Sequence, residues 1–216
     1  MGLDALKGAT RDEVWEIACE TMRRARANLE LIYEKLKKLD YEFYDYPRRQ
    51  RLTANEVLPS SVRDKGTVVE LEAKIGRLPL TFRAWFELVG GVNFMGRFPD
   101  PEVFGNFRYL DPVILVGAED LLQEVKFEEK NGLNLAEFVP TLAPDKFIKI
   151  GEAGGPCFGE LGERSADFVL KADADWLFTD YLRHVFDWGG FPGIALAPND
   201  ALRSRVEFLK ADLLKM

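Results

Sequence analysis

The sequence predicts an α+β fold in which helices lead, a small sheet of hairpin-linked strands occupies the middle and helices close the chain. Three observations carry this expectation. A heptad-spaced apolar stripe runs over residues 12 to 40, short apolar runs broken by Gly and Pro occupy 109 to 170, and a strongly apolar helical stripe returns at 176 to 188. With 216 residues, 47% hydrophobic and 12% aromatic, the chain can bury a full core as one domain or as one domain with an appendage.

Thr10-Arg11-Asp12-Glu13 has the S/T-x-x-E form of a capping box, because Thr10 can accept from the Glu13 backbone while Glu13 reaches back. A helix therefore starts there. Trp15, Ala18, Met22, Ala25, Leu29, Ile32, Leu36 and Leu39 follow at steps of three and four, a seam that needs a partner along its length. Two partners are open, another helix of the same chain or a second copy in a coiled-coil homodimer through residues 12–40. From Tyr41 to Arg63 the periodicity stops and the stretch reads as a connector, with Arg48, Arg49 and Arg51 either solvated or paired with nearby acids. This places a boundary between residues 1–63, a helical extension with its connector, and residues 64–216, the α+β domain.

Val68, Leu71 and Ile75 form a second helical stripe that Gly76 can end. Pro79 suits the first turn of the next helix, Phe82, Trp85, Phe86 and Val89 supply its buried face, and Gly90 stands where a left-handed cap closes it. The double glycine Gly90-Gly91 could instead cradle a ligand. After it, residues 91–107 hold scattered Gly and Pro and no period, which reads as a long loop. Tyr109 to Val116 reads as a strand and residues 118–129 as a helix with an acidic start. Lys146 to Ile150 and Cys157 to Leu161 read as the arms of a hairpin, and Phe168 to Leu170 as a further strand. Asp173 or Asp175 is placed to cap a helix from Trp176 to Trp188 that Gly189 stops, and a last helix runs from Asn199 to near Leu214.

The formal net charge of −7 argues against nucleic acid, whose phosphates call for Lys and Arg, and favours basic proteins as partners. The acid is concentrated late: residues 1 to 65 hold 13 Lys+Arg and 12 Asp+Glu, leaving 16 against 24 beyond them. The first ten residues lack a positive stretch followed by a long apolar one, Leu6 stands where a myristoylation pattern needs Ser or Thr, and the apolar run at 112 to 116 is far too short to span a bilayer. Two distant cysteines, Cys19 and Cys157, fit a reducing compartment. A cytoplasmic protein without a membrane anchor is the expectation.

Little in the sequence points to catalysis. His184 is the single histidine, and Asp180 four residues earlier could make an acid–base dyad with it or a plain surface ion pair. One His and two distant Cys draw no zinc pattern, while Asp173, Asp175, Glu160 and Glu163 could form a carboxylate-only cation site or serve as caps and solvated acids. The run from Gly151 to Glu163 is glycine-rich, but it lacks the Lys of a phosphate loop and reads as a hairpin turn. Cys157 beside Pro156 is a candidate nucleophile with nothing nearby in sequence to lower its pKa. No cofactor is implied.

The helix ending at Ile75-Gly76, then Leu78-Pro79, then the helix Phe82 to Val89 closed by Gly90-Gly91, resembles the opening of a SUKH domain. That superfamily includes yeast cell-wall synthesis regulators and bacterial toxin-immunity proteins. Leu110-Asp111-Pro112, Phe147-Ile148-Lys149-Ile150 before Gly154-Gly155, and Trp176 to Trp188 with Gly189-Gly190 are similar to its later elements, so the resemblance covers about Val68 to Pro192. It implies a central, mostly antiparallel sheet flanked by helices, to which the N-terminal and C-terminal helices are appended, and a protein that binds proteins without catalysis. The expected function is that of an immunity protein neutralising a basic, nuclease-type toxin. The aromatic loop offers contacts to such a partner in Phe94, Arg97, Phe98 and Phe104. The competing expectations are a small hydrolase or transferase with its site near Asp180, His184 and the 151–162 hairpin, and a dimerising scaffold.

Overall fold

The computed structural model describes residues 10–45, 48–59, 65–100, 111–135, 138, 141–143, 157–160, 166–167, 169–171, 176–196 and 200–216. Its first element is α1, Arg11–Lys38. The Thr10 capping box forms as expected, with the Glu13 N–H donating to Oγ1 of Thr10 at 3.3 Å and the Thr10 N–H donating to the Glu13 carboxylate at 2.7 Å. The heptad seam is occupied from within the chain: Leu29 and Leu36 are 1% and 0% exposed. Helix α4 (Leu80–Leu88) and helix α7 (Asp200–Lys210) pack against α1. Of the two partners open to the seam, helices of the same chain are the ones that cover Leu29 and Leu36 here.

The stretch read as a connector is structured. Strand β1 (Glu42–Asp45) pairs antiparallel with β2 (Gln50–Arg51), and a one-turn helix α2 (Ala54–Val57) follows, opened by a second capping box between Thr53 and Glu56. Helix α3 (Lys65–Ile75) ends at Gly76, α4 at Gly90 and helix α6 (Phe178–Asp187) at Gly189, all three glycines having positive φ as the sequence leads one to expect. Part of the expected loop is also strand: β3 (Val92–Asn93) pairs with β5 (Ile114–Leu115), and β4 (Gly96–Arg97) pairs with β1. Helix α5 (Ala118–Lys130) then runs beside α3, tied by Lys74–Glu129 at 2.6 Å and Lys126–Glu70 at 2.9 Å.

Strands β6 (Thr141–Ala143), β7 (Cys157–Glu160), β8 (Val169–Lys171) and β9 (Trp176–Leu177) form an antiparallel sheet in that order. Cys157–Glu160 is a strand as expected, but it pairs with Thr141–Ala143; the expected arm at 146–150 lies outside the described residues. Trp176 and Leu177 belong to β9, so α6 starts two residues later than the apolar pattern implied. The fold is α+β with antiparallel pairing, yet the described strands are divided among small sheets of three, two and four strands, with no single central sheet among them.

One hydrophobic cluster runs through the chain, from Ala18, Met22 and Leu36 on α1 through Phe82 and Trp85 on α4 to Leu202 and Leu209 on α7. The helix expected as an extension therefore shares its core with the elements after residue 64. Two polar groups of this core bond to main chain: the Trp85 indole donates to the Val116 carbonyl at 3.1 Å and the Tyr41 hydroxyl to the Phe94 carbonyl at 2.8 Å.

Candidate functional site

The four residues 42 to 45 alternate across the sheet β2–β1–β4, so Glu42 and Tyr44 share one face and Phe43 and Asp45 the other. The inner face joins the core, with the Phe43 ring 5.2 Å from that of Tyr33 and 6.0 Å from that of Phe94. On the outer face the register sets Glu42 opposite Arg97 and Tyr44 opposite Arg51. Glu42 accepts from both arginines at 2.7 Å, and the Arg97 guanidinium lies 5.8 Å from the centre of the Tyr44 ring. The hydrogen bond from Arg97, with Arg51 beside it, holds the Glu42 carboxyl below the usual carboxylate range. Arg97 and Arg51 remain 44% and 78% exposed, and Arg48, bound to Asp45 and Glu56, borders the same sheet. The result is an outward patch of Tyr44, Arg51 and Arg97 organised around one carboxylate.

The structure separates the residues that the sequence grouped as partner contacts. Arg97 is on the surface. Phe94 and Phe98 are 0% and 1% exposed, because the Phe98 ring meets Tyr41 edge-to-face and Phe191 at a tilt, with centroids 4.8 and 5.9 Å away, and Phe94 lies under Phe43 and Gly190. A ring without accessible surface gives a partner nothing to bury, so these two are core residues and not anchors. Phe104 lies outside the described residues. Tyr44 and Glu42 were missed by sequence reasoning: Glu-Phe-Tyr-Asp does not alternate between apolar and polar residues, because the acid Asp45 falls on the inner face beside Phe43, so the stretch carries no strand period.

The Asp180–His184 pair does not assemble as a dyad. Asp180 is bound by Arg183, and the charge acting on His184 is that of Asp187. Burial dominates at His184 and lowers its pKa from the ordinary imidazole value, with Asp187 opposing. Polar groups converge instead at Asp167, 8% exposed, which accepts from Thr81 Oγ1 at 2.8 Å, Thr179 Oγ1 at 2.6 Å and the Thr179 N–H at 3.3 Å. The cleft beside it, of about 60 Å³, is far below the few hundred Å³ of a substrate pocket. Cys19 is buried, and desolvation pushes its thiol up, the opposite of an activated nucleophile. Among the described residues no cluster of three or more His, Cys, Asp or Glu could hold a metal, and no helix is long and apolar enough to cross a membrane. The side chains of Glu160, Glu163, Asp173, Asp175 and Cys157, with most of the 151–162 run, lie outside the description.

The double glycine is filled by the chain itself. A Cβ on Gly117 would stand 2.3 Å from the Gly90 carbonyl oxygen, and one on Gly91 would stand 3.2 Å from the Gly117 nitrogen and the Leu115 oxygen. Backbone packs on backbone there, which leaves no cradle for a ligand. Comparison of the chain with protein-family models, with curated proteins and with solved structures finds no match.

Proposed function

We propose that the chain is a non-enzymatic protein-binding module of the SUKH kind, an immunity protein that occludes a toxin in the cytoplasm. The observation that carries this reading is the outer face of the β2–β1–β4 sheet, where Tyr44 stands with Arg51 and Arg97 around Glu42. Tyr and Arg are the residue types that dominate binding hot spots, and the Glu42 clamp holds both guanidinium groups in place before a partner arrives. The order α3, Gly76, Pro79, α4, Gly90 supports the resemblance on which the family reading rests. The net charge of −7 steers a basic, nuclease-type partner toward the molecule, and carboxylates of that partner meet the exposed edges of the two arginines that Glu42 holds in place.

The test is calorimetric and kinetic titration against a basic, nuclease-type toxin, with protection of cells that express it. Tyr44→Ala and Arg97→Ala should each cost about 2 kcal/mol, chiefly by raising the off-rate, while added salt lowers the on-rate. A chain that neither binds that toxin nor protects cells from it defeats the proposal.

A further inference from the structure

A cleft of about 580 Å³ opens where the end of α6 faces residues 210–216, and its volume falls among those of natural ligand sites. Phe186, Leu213 and Leu214 supply apolar lining. Arg183, Lys210 and Lys215 stand around it, with Asp187 as the acid among the described lining residues. The wall made by the last residues is a fixed part of the fold. The Asn28 amide, 0% exposed on α1, pairs with both the N–H and the carbonyl of Leu214 at 2.7 and 2.9 Å, and Arg24 Nη1 donates to the Lys215 carbonyl at 3.0 Å. The cleft therefore stands open with every segment in place.

Its two kinds of lining call for a ligand with two ends. Phe186 is 6% exposed and Leu213 rests against the core, while Leu214, 48% exposed, offers apolar surface at the mouth. Arg183 is fixed by Nε donating to the Met216 carbonyl at 3.3 Å and Nη1 to Asp180, which leaves its Nη2 donors without an acceptor among the described residues. Lys215 pairs with no acid among those residues, and Lys210 holds only Glu207, in an exposed pair at 2.7 Å that competes weakly. The helix-end carbonyls that would repel an anion are taken. At the end of α7, Lys35 Nζ lies against the Leu209 and Ala211 carbonyls; at the end of α6, the Val185 and Phe186 carbonyls accept from the N–H groups of Gly190 and Gly189. Three cations against one side-chain acid make this cleft locally positive on a chain whose net charge is −7.

We infer that the cleft is a binding site for an anionic amphiphile, a carboxylate carried on an acyl chain. The chain lies along Phe186, Leu213 and Leu214, and the carboxylate meets Lys215, Lys210 and the Nη2 edge of Arg183. The site shares no residue with the sheet face and stands or falls separately from the function proposed above.

The probe is decanoate, kept below its micelle concentration and titrated into the full chain while amide chemical shifts are followed by NMR. Shifts of Phe186 and of residues 213–216 should move together and saturate at one decanoate per chain, with Kd below about 1 mM. Decyltrimethylammonium, the same chain with the opposite charge, should bind at least about tenfold more weakly. Lys210→Glu with Lys215→Glu should weaken decanoate at least about tenfold, as should Leu214→Asp, which sets an acid on the apolar wall. Phe127→Ala, which removes an exposed ring of α5 away from the cleft, should leave the affinity unchanged. Equal binding of the two amphiphiles, shifts that do not saturate, or full affinity in the double lysine variant overturns the inference. Should that variant fail to fold by circular dichroism, the comparison of the two amphiphiles on the unaltered chain decides.

Discussion

Gly90 has φ of +88° and its N–H donates to the Trp85 carbonyl at 2.9 Å, so the last turn of α4 is closed by a conformation that a β-branched residue adopts only under strain. Gly90→Val should therefore lower stability by about 1 kcal/mol or more in urea unfolding; an unchanged midpoint would show that the cap is not needed. At His184 the expectation concerns pH. Its folded-state pKa is depressed by burial below the ordinary 6.5, so the unfolded chain binds the proton more readily. The contribution to stability is complete above the unfolded value and declines as pH falls through the window down to the folded value. Urea midpoints taken across that window should drop toward acid, and His184→Gln should flatten that part of the profile.

At the scale of elements, the helix starts differ in where their acceptors come from. Thr10 and Thr53 cap their own helices from one turn away; the first box was read from the sequence, while the second opens a helix of only four residues inside the stretch read as a connector. Helices α4 and α6 have no side-chain cap of their own at Pro79 and Leu177. Asp167 joins the two starts, accepting from the Thr81 hydroxyl in the first turn of α4 and from the hydroxyl and N–H of Thr179 in the first turn of α6, while the Thr81 N–H donates to the Ala166 carbonyl at 3.0 Å. Asp167→Ala removes these acceptors together and should cost about 2 kcal/mol or more, whereas Asp167→Asn, which keeps an acceptor oxygen, should cost less. Equal losses for the two variants would mean that the acceptor role is not what Asp167 contributes. The start of α6 at Phe178, two residues past the start of the apolar run, follows from the same arrangement, since Trp176 and Leu177 are held as a strand against Val169 and Leu170.

Over the whole molecule, the shared core implies a single cooperative unit. Leu36 is 0% exposed within a cluster that reaches Leu209. Leu36→Ala should cost about 2–5 kcal/mol and shift the far-ultraviolet and tryptophan-fluorescence transitions together. Light scattering should report the same mass for the variant as for the unaltered chain, because the seam is covered from within. A separate early transition for α1 would instead support the boundary near residue 63.

The elements legible in the sequence are those written in neighbouring residues. The Thr10 box, the seam from Ala18 to Leu36, the glycine stops at 76, 90 and 189, and the buried face Phe82-Trp85-Phe86-Val89 each depend on contacts within a few turns, so local spacing determined them. Of the expected partner contacts that are described, Arg97 is the exposed one. Tertiary structure alone decided what lies across the chain from what. It buried Phe94 and Phe98 against Tyr41, Phe43 and Phe191, set Arg97 beside Glu42 and Tyr44, brought Asp167 to two helix starts, and gave Asn28 the main chain of Leu214 as its partner. Those pairings join residues 12 to 186 positions apart, where no period or cap links one partner to the other; burial of a common core and satisfaction of its polar groups select them.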